Sequence, residues 1–362
     1  MKLIQRWLGL FTLTLLVSTT AVTAQTAIDI AVLLPDSTSS ARWEHDDRRF
    51  LTAAFEAANV TYSIVNAEGD RQTQIAQAEQ AITNGARVLL FVNLDGGSGA
   101  AIIAKAHEAG VLVIDYDRLT TQGEGADYYV SFDSVEVGRL IGEGLIAAVE
   151  TAQPTGSISA VPKIAILNGS PTDNNARLLA EGYHAVLRPL FEAGTWELAA
   201  EQDVPDWDNQ QALIIFEQMQ TNNPDIDAAI AANDGLAQAM IAARMNAGLP
   251  FIPLTGQDAT VGGIQNVLAG RQSLTVYKPI EVVAEAAAAL AVALVRGDNP
   301  NSLINGTTMV GTSEIPSVLL HVITVTSDNV AATVIADGFR TWAEVCVGEF
   351  VPFCPAEARP NG

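Results

Sequence analysis

The segment KIAILNGSPTDNNAR, residues 163–177, decides how this chain folds. Its apolar run Ile164–Leu167 reads as a strand buried on both faces, and residues 173–193 carry apolar positions at helical spacing. Its place matters most, because it begins a β-α alternation for the second time. Between strand and helix it sets Gly169-Ser170-Pro171, then Asp173, Asn174 and Asn175 in succession. Three short polar side chains at such a turn either cap the helix or hold a ligand.

The first alternation precedes it. IDIAVLLP (28–35), TYSIVNAE (61–68), ARVLLFV (86–92), VLVIDYD (111–117) and YYVSFD (128–133) read as strands, with helical spacing over 44–58, 71–84 and 97–109. The spacer ETAQPTGSISAVP (150–162) separates the two series. After it, strands are expected at 163–169, 196–204, 227–234, 253–258 and 274–278, with helices at 173–193, 208–222, 235–247 and 260–269. The helix PIEVVAEAAAALAVALVRG follows, with Pro279 at its permitted first position, and VLLHVITV (318–325) reads as one last strand. The expected architecture is α/β: two similar doubly wound parallel-sheet lobes, with the late elements crossing back between them.

Composition narrows the function. The chain opens MKLIQRWLGLFTLTLLVSTTAVTAQ, with a basic start, an apolar centre and the small-residue site Val22-Thr23-Ala24. That layout is a secretory signal peptide over 1–24, so an exported, periplasmic protein is expected. Net charge is −22, and the leader holds two of the 19 basic residues, leaving 17 against 41 acidic ones, or −24. Such acidity argues against nucleic acid or an anionic membrane as partner. The two cysteines, Cys346 and Cys354, lie close together; in an exported chain they are expected to form a local disulfide. Two thiols without a nearby His make a poor zinc site, and neither metal nor cofactor is expected.

Ligands of open parallel sheets sit beyond the carboxyl ends of the strands. Those ends carry Asp115-Tyr116-Asp117-Arg118, Asp133, Asn168, Asn233-Asp234, Gln257-Asp258 and Lys278. Capping explains Asp133 and Asp234 well. It explains Lys278 badly, since a cation beside a helix N-terminus opposes the helix dipole. Trp43 in ARWEHDD and Trp207 in VPDWDNQ lie in polar loops of different halves. An indole stacks on the C–H face of a pyranose, while carboxylate, amide and guanidinium groups bond its hydroxyls. Arg42, Arg118 and Lys278 balance Asp117, Asp173 and Asp258, which suits a neutral, hydroxyl-rich ligand.

These residues carry a family likeness. RW (42–43), VIDYDR (113–118), YYVSFD (128–133), GSPTDNNA (169–176), DW (206–207), ANDG (232–235), GQDA (256–259) and TVYKPI (275–280) stand in family order. Over residues 28 to 340 the chain resembles the periplasmic D-xylose-binding proteins of ABC sugar transporters, in the ribose-binding-like group of type I periplasmic binding proteins. The resemblance implies two lobes joined by a three-crossover hinge: 25–134 plus 277–312, and 135–276 plus 313–340. It implies that Arg42, Asp117, Arg118, Asp173, Asn175, Asn233, Asp258 and Lys278 hydrogen-bond a sugar and that Trp43 and Trp207 stack on it. The segment PDSTSS (35–40) departs from the family's wording, and the tail 341–362, with both cysteines, lies beyond its usual end.

The implied function is capture of a monosaccharide, D-xylose foremost, by a monomer that delivers it to an ABC permease. Another aldose (ribose, arabinose, glucose or galactose) is the alternative, as is sensing for a chemoreceptor or kinase. A glycoside hydrolase shares the paired carboxylates and aromatic stacking. The sequence nevertheless holds no GxSxG or HExxH, and His45, His107, His184 and His321 sit apart. No enzyme is expected. A transcription regulator would need a helix-turn-helix where the export signal stands.

Overall fold

A computed structural model describes residues 28–359; the leader read at 1–24 lies outside them. The first lobe begins with β1 (Ile30–Leu34), a five-residue π-helical turn (Trp43–Asp47) and α1 (Arg48–Ala58). Then come β2 (Tyr62–Asn66), α2 (Arg71–Thr83), β3 (Val88–Phe91), α3 (Gly96–Glu108), β4 (Leu112–Tyr116) and β5 (Tyr128–Phe132). Every side chain of β1 and β3 is buried. Such strands must be covered on both faces, and the helices cover them.

The second lobe opens with α4 (Ser134–Ala152), β6 (Lys163–Asn168), α5 (Asn174–Glu192) and β7 (Glu197–Asp203). It continues through α6 (Asn209–Asn222), β8 (Ala228–Ala231), α7 (Asp234–Asn246), α8 (Val261–Leu268) and β9 (Thr275–Tyr277). Helices α4 and α5 touch backbone to backbone. A Cβ on Gly138 would lie 2.1 Å from the Leu179 carbonyl oxygen, and one on Gly182 would lie 2.2 Å from that of Val135. Glycine is what lets these two helices meet.

The chain then returns to the first lobe with α9 (Ile280–Arg296), β10 (Gly306–Val310) and β11 (Ser313–Leu320), before β12 (Ile323–Val325) and α10 (Trp342–Val345). The first sheet has the order β10-β11-β5-β4-β3-β1-β2 and is parallel except for the β10–β11 hairpin. The second comprises β7-β6-β8 and the antiparallel pair β12-β9, linked by single bridges Ala229–Leu254 and Gln257–Val276. Residues 253–258, expected as a strand, supply only those bridges.

Two expectations are corrected. The run 318–325 is two strands, not one: Ser317–Leu320 pairs in parallel with Tyr129–Phe132 of the first sheet, and Ile323–Val325 pairs with β9 of the second. Residues 313–320 therefore belong to the first lobe rather than the second. Apolar periodicity records that a segment is extended, but not which of two open sheet edges it joins. The chain passes between the lobes after β5, between β9 and α9, and at His321-Val322.

Both sheets reverse their strand order at one point: between β1 and β3 in the first, and around β6 in the second. Crevices form where adjacent strand ends diverge in this way. The loops after β1, β4, β6 and β8 accordingly face one another.

Candidate functional site

All ten residues singled out in the sequence line one cavity between the lobes. Arg42, Trp43, Asp117 and Arg118 come from the first lobe. Asp173, Asn175, Trp207, Asn233 and Asp258 come from the second, and Lys278 from a crossover. Ser39, Ser40 and Gln257 complete the lining; the free space among these residues, counting the open solvent at its mouths, is about 350 Å³. It opens on one side past Asp36, Arg71 and Asp206, and on the other past His45, Arg49, Gln238 and Glu344.

The first-lobe wall is built on the π turn. There the hydrogen bonds run over five residues, as from the Arg48 amide to the Trp43 carbonyl. This brings Asp47 back to Arg42, whose Nε and Nη2 donate to Asp47 Oδ2 and Oδ1 at 2.7 and 2.8 Å. Tyr116 OH donates to the same Asp47 Oδ1 at 2.5 Å. Arg42 Nη1 donates to Asp117 Oδ2 at 2.7 Å, and its guanidinium lies 4.3 Å from the Trp43 ring centroid. The Trp43 indole donates to Ser39 Oγ, which also accepts from Arg118 Nη2, both at 3.3 Å. Burial would lower the Arg42 pKa, but Asp47 and Asp117 overcome it and hold the group well above its ordinary value. Burial likewise opposes charge on Asp117; Arg42, Lys278 and Arg118 together keep its carboxyl below the usual range.

The second-lobe wall answers the question of cap or contact. Asp173 is the N-cap of α5, its Oδ1 accepting from the Asn175 amide at 2.9 Å. Its Oδ2 accepts from the Trp207 indole at 3.1 Å and pairs with Arg118 Nε at 3.1 Å. One carboxylate thus ends a helix, orients an indole and touches the opposite lobe. Asn175 Nδ2 crosses the same gap to the Asp117 carbonyl and Oδ1, both at 3.0 Å. The Trp207 ring lies on Gly169, where a Cβ would fall 2.1 Å from the indole.

Asn233 caps α7 through Oδ1, which accepts from the Leu236 amide at 2.8 Å. Its Nδ2 and the Gln257 side-chain amide have no hydrogen-bond partner among the described residues, although both residues are buried. Lys278 Nζ lies 2.9 Å from Asp258 Oδ1, close enough for charge pairing. The approach is misaligned for a hydrogen bond, and that buried oxygen is left unsatisfied.

The backbone is strained at the same place. Of seven non-glycine residues with positive φ among the described residues, five stand at or beside the cavity: Asp117 (64°), Asp206 (54°), Trp207 (56°), Asp258 (96°) and Ala259 (47°). Each such residue costs about 1–3 kcal/mol and persists where its surroundings over-determine it. At Asp117 they do: its carbonyl accepts from Tyr129 OH, Ser131 Oγ and Asn175 Nδ2.

Sequence reasoning missed Asp47, Ser39, Ser40 and the role of Gly169, and it noted Gln257 without giving it a part. Asp47 follows Arg42 by five residues, a spacing that α periodicity does not mark but a π turn makes adjacent. With Asp47 counted, four carboxylates face Arg42, Arg118 and Lys278. Among the described residues no group of three or more His, Cys, Asp or Glu is placed to hold a metal ion.

Two hinged α/β lobes that close a buried, nearly charge-balanced chamber at their switch points make a solute-binding protein of the two-lobed kind. The chain belongs to the periplasmic binding protein family: residues 30–299 match the model of the periplasmic binding protein domain. It is 34% identical to the D-xylose-binding periplasmic protein of Escherichia coli, over 95% of this chain and all of that one. It is 29% identical to the multiple sugar-binding periplasmic protein SbpA of Azospirillum brasilense, over 92% and 95%. A solved carbohydrate transporter solute-binding protein of Chloroflexus aurantiacus, in complex with D-glucose, superposes with a TM-score of 0.79 at 28% identity, covering 88% of this chain and 98% of that one. Family and fold are those of solute-binding proteins, not enzymes.

Proposed function

We propose that this protein captures a neutral aldose, D-xylose foremost, between its lobes and delivers it to the permease of an ABC transporter outside the cytoplasm. The carrying observation is a cavity that Trp43 and Trp207 line from opposite lobes, onto which Asn233, Gln257 and Asp258 bring polar side chains; of these, Asp258 Oδ1 is buried without a hydrogen bond. A buried polar atom left without a hydrogen bond costs about 1–3 kcal/mol, a cost that a sugar hydroxyl would remove at Asp258. The indoles supply flat apolar surface for the carbon faces. Four carboxylates against three cations disfavour an anionic ligand.

The D-xylose-binding relative favours a pentose, whereas the Chloroflexus neighbour holds a hexose. A pyranose hexose differs from the pentose by one CH₂OH group, so direct comparison separates them. Calorimetry with D-xylose, ribose, arabinose, glucose and galactose is the test, and tightest binding of D-xylose is the expected result. Trp207→Ala and Asp258→Ala should each weaken binding by about 1–3 kcal/mol with the fold intact. Titration curves identical to those of the unmodified protein in both variants would remove the cavity from the reading.

A further inference from the structure

The segment after β12 is fixed to the second lobe. Val330, Val334, Phe339, Val345, Cys346 and Cys354 are buried in an apolar cluster that holds Ile264 and Val267 of α8 and continues into the first lobe at Trp43 and Leu51. The polar bonds of the tail, apart from one pair at Arg340, run to the second lobe. Cys346 and Cys354 are joined by a disulfide. The Phe339 ring stacks on Tyr277 at 5.0 Å, and Tyr277 OH donates to Asp337 Oδ2 at 2.6 Å. Gln265 Nε2 donates to the Val345 carbonyl at 3.0 Å, and Arg271 Nη1 to Glu349 Oε1 at 2.9 Å.

One charged side chain of this tail pairs with a carboxylate of the other lobe. Arg340 Nη1 and Nη2 donate to Asp46 Oδ1 and Oδ2 at 3.1 and 3.0 Å, a forked ion pair whose residues are 9% and 5% exposed. Its Nε donates to the Ala259 carbonyl at 3.1 Å, and its guanidinium lies 3.7 Å from the Phe339 ring centroid. The two anchors are telling. Asp46 precedes Asp47, which holds Arg42 on the π turn, and Ala259 follows Asp258. One guanidinium therefore ties the first-lobe turn bearing Arg42 and Trp43 to the second-lobe loop bearing Asp258.

We propose that Arg340 is a positioning residue of the ligand cavity: a latch, carried by the disulfide-pinned tail, that closes only when the lobes are together. The proposal rests on the reading of the cavity as a sugar site. Opening the cleft must break either the Asp46 pair or the Ala259 bond. The latch thus stabilises the closed arrangement alone, which is what retains a ligand once bound. Its effect falls on release, because association proceeds from the open form.

The test uses the full mature chain and its Arg340→Gln and Asp46→Asn variants, singly and combined. Stopped-flow fluorescence of the cavity tryptophans with D-xylose and D-glucose should show release about tenfold faster in each single variant, with association nearly unchanged. The double variant should lose less than the sum of the singles, because the Arg340–Asp46 pair is removed in each of them. Solution scattering of the sugar-free variants should show a larger radius of gyration than that of the unmodified protein. If Arg340→Gln does not fold, Arg340→Lys keeps the charge but lacks the fork, and is read the same way. Unchanged release rates with a lowered melting temperature would make the tail merely structural and overturn the latch, as would additive losses in the double variant. If the unmodified protein binds neither sugar, the site reading fails. The scattering comparison still decides the latch, and equal radii overturn it.

Discussion

Gly169 has no side chain, and the Trp207 indole occupies the space where one would be. The ring is held by that bare backbone beneath it and by Asp173 Oδ2 at its nitrogen. Its own backbone lies in the left-handed region, which a bulky residue enters only under constraint. Adding one methyl group should therefore act at a distance. Gly169→Ala should displace the indole and cost about as much sugar affinity as Trp207→Ala, about 1–3 kcal/mol, where 1.4 kcal/mol is about tenfold. Calorimetry on the two variants checks this, and full affinity in Gly169→Ala would show that the ring's seat is not part of the site. The types and loop positions of Trp207 and Asp173 were legible in the sequence. The seat was not, since a glycine after a strand is also what any tight turn uses.

At the scale of elements, Asp234 joins two helices and the loop that leads to β9. It is the first residue of α7, and its Oδ2 accepts from the amide and hydroxyl of Thr260, the N-cap of α8, at 2.9 and 3.1 Å. Its Oδ1 accepts from Gln272 Nε2 at 2.8 Å. Read from sequence it was a cap; folded, it braces the loop that carries Asp258. Burial pushes its carboxyl up to about 7, outweighing the hydrogen bonds that favour the charged form. An unfolded Asp titrates near about 3.9. Between those values the folded protein keeps a proton that the unfolded chain has released, so this group's contribution to stability falls as pH rises from about 4 to 7 and levels off above. Asp115, which burial also raises to about 7, adds to the same slope. Asp234→Asn should accordingly lose less melting temperature between pH 5 and pH 8 than the unmodified protein does. Parallel pH profiles for the two would show that Asp234 is not the titrating brace.

At the scale of the molecule, the lobes are in direct contact through Asn175–Asp117 and Arg118–Asp173, with both walls buried. Parting the lobes must break these bonds, and the three interlobe passages are where bending would occur. Scattering should report a smaller radius of gyration on addition of the bound sugar, and no change with any aldose would leave the hinge without a role. The alternation of strand and helix and the division into two sheets came from the sequence, because burial on both faces is a local property; the ten cavity residues came from polar strand ends and loop tryptophans together with the family resemblance. Sheet membership of 313–325, the pairing of Arg42 with Asp47, the seat beneath Trp207 and the reach of Arg340 to Asp46 were decided only by tertiary structure. Each depends on which distant segment lies alongside or on a turn whose period departs from the α-helix, and neither is written in the spacing of residues along the chain.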